Sequence, residues 1–214
     1  MKKLAIFDLD GTLLNTVEDI KAVLNASLVK FHLPELTSEQ TVKYLGNGAK
    51  KLVERAVAEN KSRFEEVYAY YLKKFSECDN ELTELYCGEE RALRRLKECG
   101  VKLALVSNKP QKATEKAYNK FLCEFEFTQV LGQSDKYPLK PDPSSTLAVI
   151  EAAGVSKKDC VFIGDGETDV VTAKNAGIDC VSVLWGYRSK AQLAEAGAKV
   201  FAEDFDKLAE IILK

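Results

Sequence analysis

Histidine is almost missing from this chain, with His32 alone among 214 residues. Six cysteines are present, but no two stand in a Cys-x-x-Cys pair. Together these shortages argue against a structural zinc site. Surplus positive charge is missing too: 31 basic residues face 33 acidic ones, for a formal net charge of -2. With no arginine-rich face or tail, there is no footprint for a nucleic acid partner. No run approaches the ~20 apolar residues that a membrane span needs. The opening MKKLAIF has a faint likeness to a secretory leader, but Asp8 and Asp10 cut it before an apolar region can form. Internal repeats, low-complexity stretches and long linkers are also lacking. These absences point to a cytoplasmic protein without membrane or nucleic acid partners. Its cysteines (Cys78, Cys87, Cys99, Cys123, Cys160 and Cys180) are expected to be buried free thiols.

What is present is a chain that is 46% apolar, enough to bury a sizeable core. Lys3 to Leu9 reads as a strand buried on both faces. The pattern then turns helical. Val17, Ile20, Leu24, Leu28 and Phe31 mark one helix, stopped by Pro34, and Thr37 with Gln40 fits a capping box for the next. Gly46-Asn47-Gly48 interrupts as a loop, and helical spacing resumes through Leu52–Val57 and Phe64–Phe75. From Tyr86 onward strands and helices alternate. Strands are expected over 101–106, 127–131, 160–163, 180–184 and 199–201. Helices are expected over 91–99, 113–122, 144–153, 168–176 and toward Ile212. Such alternation predicts an α/β fold, a Rossmann-like parallel sheet with helices on both faces. The first strand belongs to that sheet. Residues 1–14 and 83–214 are therefore expected to form the core, with 15–82 a helical cap domain inserted after strand one. Hinges are expected near Leu14–Val17 and Thr83–Gly88.

Ligands of open parallel sheets bind beyond the carboxyl ends of the strands. Strand one ends in Asp8-Leu9-Asp10-Gly11-Thr12, and the strand from Val101 in Ser107-Asn108-Lys109. The strand from Cys160 ends in Gly164-Asp165-Gly166-Glu167-Thr168-Asp169, and Lys140 stands before a helix in Leu139-Lys140-Pro141-Asp142-Pro143. A lone Asp-x-Asp means little, as Asp204-Phe205-Asp206 in a polar turn illustrates. Two acidic strand ends at one sheet edge are different, because clustered carboxylates repel and need a cation at neutral pH. Hard oxygen ligands favour magnesium, Mg2+.

DLDGTLLNT, VSNK, LKPDP and GDGETDV, in this order, resemble the four motifs of the haloacid dehalogenase superfamily across the whole chain. GNGAKKLVERA, Tyr86-Cys87-Gly88 and VLWGYR resemble its phosphoglycolate phosphatases. The resemblance implies an Mg2+-dependent phosphatase acting on a small-molecule phosphate ester. In it Asp8 is the nucleophile and Asp10 the general acid and base. Asp8, the Asp10 carbonyl and Asp165 hold the metal. Asp8, Ser107, Asn108 and Lys140 bind the phosphoryl group, Lys140 as a catalytic cation, while Thr12 and Asp169 brace the site. Gly166 stands where many relatives carry serine.

Smaller features have plainer readings. Asn108 is read equally as a phosphate ligand or the cap of the next helix. Asp142 reads as a helix cap and His32 as structural, while Arg188 reads as a contact for a substrate carboxylate or, more simply, as half of a surface salt bridge. Gly46–Gly48 reads as a loop that closes over the site, where Lys43 or Lys50 reaching in would suit a substrate with a second negative group, although each lysine taken singly reads as part of a solvated face. The residues leave phosphoglycolate, pyrophosphate, nucleoside monophosphates and sugar phosphates open as substrates. A sugar phosphomutase and a non-catalytic phosphate-binding protein are rival classes. The protein is expected as a monomer or homodimer.

Overall fold

A computed structural model describes all 214 residues. Its strands are β1 Leu4–Phe7, β2 Leu14–Asn15, β3 Glu84–Leu85, β4 Lys102–Pro110, β5 Val130–Gln133, β6 Cys160–Gly164, β7 Asp179–Val183 and β8 Phe201–Ala202. The α-helices are α1 Val17–Lys30, α2 Ser38–Tyr44, α3 Gly48–Val57, α4 Phe64–Glu77, α5 Glu89–Glu98, α6 Gln111–Phe121, α7 Ser144–Ala153, α8 Glu167–Ala176, α9 Lys190–Glu195 and α10 Phe205–Leu213.

Six strands make one sheet in the order β5-β4-β1-β6-β7-β8, and every neighbouring pair is parallel. A strand covered by helices on both faces must be apolar on both, and all four residues of β1 are fully buried. Its side chains alternate between two cores. Ala5 and Phe7 join the cluster that includes Leu93 and Leu96 of α5 and Phe205 and Leu208 of α10. Leu4 and Ile6 join the opposite cluster, with Val149 of α7 and Ala173 of α8. β1 lies between β4 and β6, so the chain leaves it for opposite halves of the sheet. The crevice at that switch point is where a ligand belongs.

The four helices between β2 and β3 bury a third cluster of their own, including Leu24 and Leu28 of α1, Leu52 and Val53 of α3, and Tyr71 and Phe75 of α4. Entry and exit run side by side: β2 and β3 pair antiparallel through Leu14 with Leu85 and Asn15 with Glu84. Buried Asp19 ties the return strand down, accepting from the Leu82 amide at 3.1 Å and the Thr83 hydroxyl at 2.7 Å. Periodicity predicts nothing but helix between the hinges, and a two-residue ribbon is too short to leave a pattern.

Several boundaries differ from the spacing. β5 begins at Val130 rather than Phe127, because the Phe127 ring packs edge-on against Tyr118 and its amide donates to the Tyr118 hydroxyl. β4 continues past Val106 to Pro110, carrying Ser107, Asn108 and Lys109 within the strand. Helix α9 has only six residues and no visible period; Ser189 and Gln192 close it with a capping box. The predicted box at Thr37 and Gln40 is present. All six cysteines are free, but the expectation of burial fails for most: only Cys160 is buried, whereas Cys87, Cys99 and Cys123 are exposed. The exposed three sit in a crossing segment, at a helix end and in a short turn, beside core residues but on the outward side. No helix is long and apolar enough to cross a membrane.

Candidate active site

Four segments converge above the carboxyl ends of β1, β4 and β6. Asp8 follows β1 directly. Its Oδ1 accepts from the Leu9 amide at 2.7 Å and meets Lys140 Nζ at 2.9 Å, which leaves Oδ2 without a protein partner. Burial raises the Asp8 pKa to about 6, even with Lys140 acting to lower it. Lys140 also donates to Asp169 Oδ1 at 2.7 Å, and its side chain is only 2% exposed. Burial opposes its charge, but Asp169 and Asp8 outweigh that cost and hold it firmly protonated.

Asp165 follows β6. Thr12 donates to its Oδ1 at 3.1 Å and the Tyr187 amide to its Oδ2 at 2.7 Å. Burial, reinforced by Asp169 and Asp8, lifts its pKa to about 8. Asp169, on the first turn of α8, spends Oδ1 on Lys140 and Oδ2 on the Gly166 amide at 2.9 Å. It braces the lysine and the loop. Oxygens of Asp8, Asp165 and Asp169 lie within 4.8 Å of one another. Two buried carboxylates and a part-buried third, with one lysine shared between Asp8 and Asp169, make a hard, anionic donor set that suits a divalent cation. The backbone is correspondingly tight. Gly11 has φ +84°, and a Cβ there would stand 2.3 Å from Asp165 Oδ2. A Cβ on Gly164 would meet the Asp169 carboxyl at the same 2.3 Å.

Asp10 faces the same cavity from a different shell. Its Oδ1 accepts from the Thr16 hydroxyl at 2.7 Å and from Lys109 Nζ at 2.8 Å, while Oδ2 has no hydrogen-bond partner. Ser107 and Asn108 line the cavity. Asn108 neither caps a helix nor has its amide free. Its Oδ1 accepts from the Lys140 amide, and its Nδ2 donates to the carbonyls of Lys140 and Gly46. It therefore fixes the Lys140 backbone and touches the loop between α2 and α3. The cavity holds about 70 Å³ and is roofed by Ile20, Leu52, Tyr71 and Phe75 from the inserted helices.

All eight residues singled out from sequence (Asp8, Asp10, Thr12, Ser107, Asn108, Lys140, Asp165 and Asp169) meet here. Arg188 needs a correction. It does pair with Glu167, at 3.1 Å, but its side chain is only 11% exposed. Its other nitrogens donate to the carbonyls of Val42 and Leu45, so it bridges α8 and the end of α2. Lys43 and Lys50 are exposed and absent from the cavity wall. Asp142 accepts from the Ser144 amide at the start of α7, as a cap does. Asp204 caps α10, and Asp206 pairs with Arg91, so that Asp-x-Asp is structural. Lys109, Thr16 and Tyr187 carry site contacts that spacing does not reveal. Lys109 lies inside the VSNK motif and Tyr187 inside VLWGYR, which are the only signals for them.

A family model for haloacid dehalogenase-like hydrolases matches residues 5–183. The chain belongs to that family. Among curated proteins it is 31% identical to phosphoglycolate phosphatase 1 of Pseudomonas aeruginosa, over all of this chain and 83% of that protein. It is also 31% identical to the phosphoglycolate phosphatase of Mannheimia succiniciproducens, with 98% of each chain covered. A Lactobacillus delbrueckii protein, crystallised as an inferred phosphoglycolate phosphatase, superposes with a TM-score of 0.92 at 30% identity, over 99% of both chains. Within the family the chain is a phosphoric monoester hydrolase, similar to the phosphoglycolate phosphatases.

Proposed function

We propose that the chain hydrolyses small phosphate monoesters of the phosphoglycolate type through a phosphoryl group carried on Asp8. The observation that carries this reading is the unpartnered Asp8 Oδ2, held beside Lys140 in a cavity that also contains the free Oδ2 of Asp10. Asp8 Oδ2 attacks phosphorus as the ester P–O bond breaks, and Asp10 gives the leaving oxygen its proton. Asp10 then takes a proton from the water that cleaves the aspartyl-phosphate. Lys140 and Ser107 meet the phosphoryl oxygens, where positioning and charge stabilisation do most of the work of phosphoryl transfer. Asn108 acts by fixing Lys140. Asp8 and Asp165, with the carbonyl of Asp10, would hold Mg2+, which when bound supplies charge neutralisation for the phosphoryl oxygens. Asp169 and Thr12 hold that set in place. Residues 15–82 serve as a cap over the cavity, and shielding the site from water strengthens its electrostatics. Six unpaired cysteines suit a cytoplasmic setting.

The test is phosphate release across small phosphoesters and pyrophosphate, with and without magnesium, from the native protein and Asp8→Asn. Magnesium-dependent release that vanishes in the variant is expected, with phosphoglycolate among the best substrates. No release from any ester by folded, magnesium-supplied protein would sink the phosphatase reading. Transfer of the group to a second hydroxyl of a sugar phosphate would replace it with a mutase.

A further inference from the structure

Three cations reach the cavity wall or its floor, and their hydrogen bonds are unequally filled. Lys140 is divided between Asp8 and Asp169. Arg188 spends three of its five N–H donors, on Glu167 and on the carbonyls of Val42 and Leu45, and so is held by three acceptors. Lys109 differs. Its side chain is 2% exposed, yet Asp10 Oδ1 is the only acceptor of its ammonium group. Its other neighbour is the face of Phe75, with the ring centroid 4.8 Å away. An ammonium has three donors, so two are left facing the cavity and an aromatic ring. A buried cation with spare donors is costly unless something anionic completes its shell.

The position of Lys109 is informative. Asp10 is the group that meets the oxygen leaving phosphorus, and Lys109 stands 2.8 Å beyond it. Whatever is attached to the leaving oxygen therefore lies next to Lys109. The roof of the cavity, Ile20, Leu52, Tyr71 and Phe75, offers a charged substituent little beyond the Tyr71 hydroxyl, and the other cation on the wall is Arg188, already held by three acceptors. We infer that Lys109 determines specificity, selecting phosphate esters whose alcohol carries a carboxylate one or two carbons from the ester oxygen. This rests on the phosphatase reading above and adds the recognition of the leaving group. The Nζ of Lys109 would bond the substrate carboxylate in the Michaelis complex. The covalent step is unchanged: the Asp8–phosphorus bond forms, the ester P–O bond breaks, and the hydroxy acid departs with the proton from Asp10.

The experiment compares kcat/KM for 2-phosphoglycolate and its neutral amide, 2-phosphoglycolamide, in the native protein, Lys109→Met and Lys109→Arg, each with magnesium. Native protein should favour the carboxylate by roughly 10- to 100-fold, the range for a charge-assisted contact. Lys109→Met should bring that ratio to about one mainly through the carboxylate substrate, and Lys109→Arg should keep most of it. A native ratio near one overturns the proposal, as does a ratio that survives in Lys109→Met. Equal loss on both substrates would make Lys109 a positioning residue for Asp10 instead. If Lys109→Met fails to fold, by circular dichroism, the native ratio and Lys109→Arg still decide: collapse of the ratio in the arginine variant overturns a role for the charge. Native protein that releases phosphate from neither compound fails the phosphatase reading itself, a separate outcome from a ratio of one.

Discussion

A single carboxylic acid stands apart from the chemistry and shows what burial does to a side chain. Glu89 opens α5, is 1% exposed, and neither of its oxygens has a hydrogen-bond partner. Burial pushes its pKa up to about 8 from 4.5. A group whose folded pKa lies above its unfolded value stabilises most below the unfolded pKa, and loses that contribution as pH rises toward the folded one. Glu89 therefore costs the fold progressively more between about pH 4.5 and pH 8. The favourable field at a helix N-terminus offsets only part of this. Glu89→Met should raise stability at pH 8 by about 1–2 kcal/mol, with a smaller gain at pH 5. Urea unfolding at the two pH values checks it, and an equal gain at both would mean that the carboxyl is not the cause. Lys140, as buried as Glu89, is the opposite case, since two carboxylates answer its charge. Nothing in the sequence separates these residues. Glu89 reads as an ordinary first-turn acid, and its orphaned oxygens exist only once the chain is folded.

Elements were legible in proportion to how strongly burial patterns them. β1 and β6 are continuous apolar runs because helices cover both of their faces, and so their ends, with Asp8, Asp10 and Asp165, could be placed from spacing. Glycines at positive φ, such as Gly154 and Gly177, closed α7 and α8 where expected. Features made by two elements meeting left no such trace: the β2–β3 ribbon, the Lys109–Asp10 pair, and the reach of Arg188 from the core to the end of α2. That last contact gives an element-scale prediction. Arg188 donates to two carbonyls at the end of α2, of which Val42 also accepts from the Leu45 amide, and it holds the loop above the cavity. Arg188→Ala should raise KM roughly 10-fold with a smaller change in kcat, as expected when charged hydrogen bonds that hold the site closed are lost. Steady-state kinetics on the best substrate would show it. A fall in kcat with KM unmoved would assign Arg188 to the chemical step instead.

For the whole molecule, the site is a store of unfavourable charge that the fold keeps for function. Asp8 and Asp165 are raised to about 6 and about 8 from 3.8, so both favour the folded state most in acid and progressively less as pH climbs. Without metal, the protein should therefore lose stability steadily from about pH 4 to pH 8, with Glu89 adding to the same slope. A divalent cation reverses the argument, because it binds the ionised carboxylates and competes with their protons. Its affinity should climb as pH rises through the Asp8 and Asp165 values. At a hundred times its dissociation constant a ligand adds about 2.7 kcal/mol. The melting temperature with EDTA should fall between pH 5 and pH 8, whereas the gain from added magnesium should be small at pH 5 and several degrees at pH 8. Asp165→Asn provides the control. It removes one costly charge and one ligand, so the metal-free variant should melt higher than the native protein at pH 8 and respond little to magnesium. If native protein gains as much from magnesium at pH 5 as at pH 8, the ion is not binding at these carboxylates.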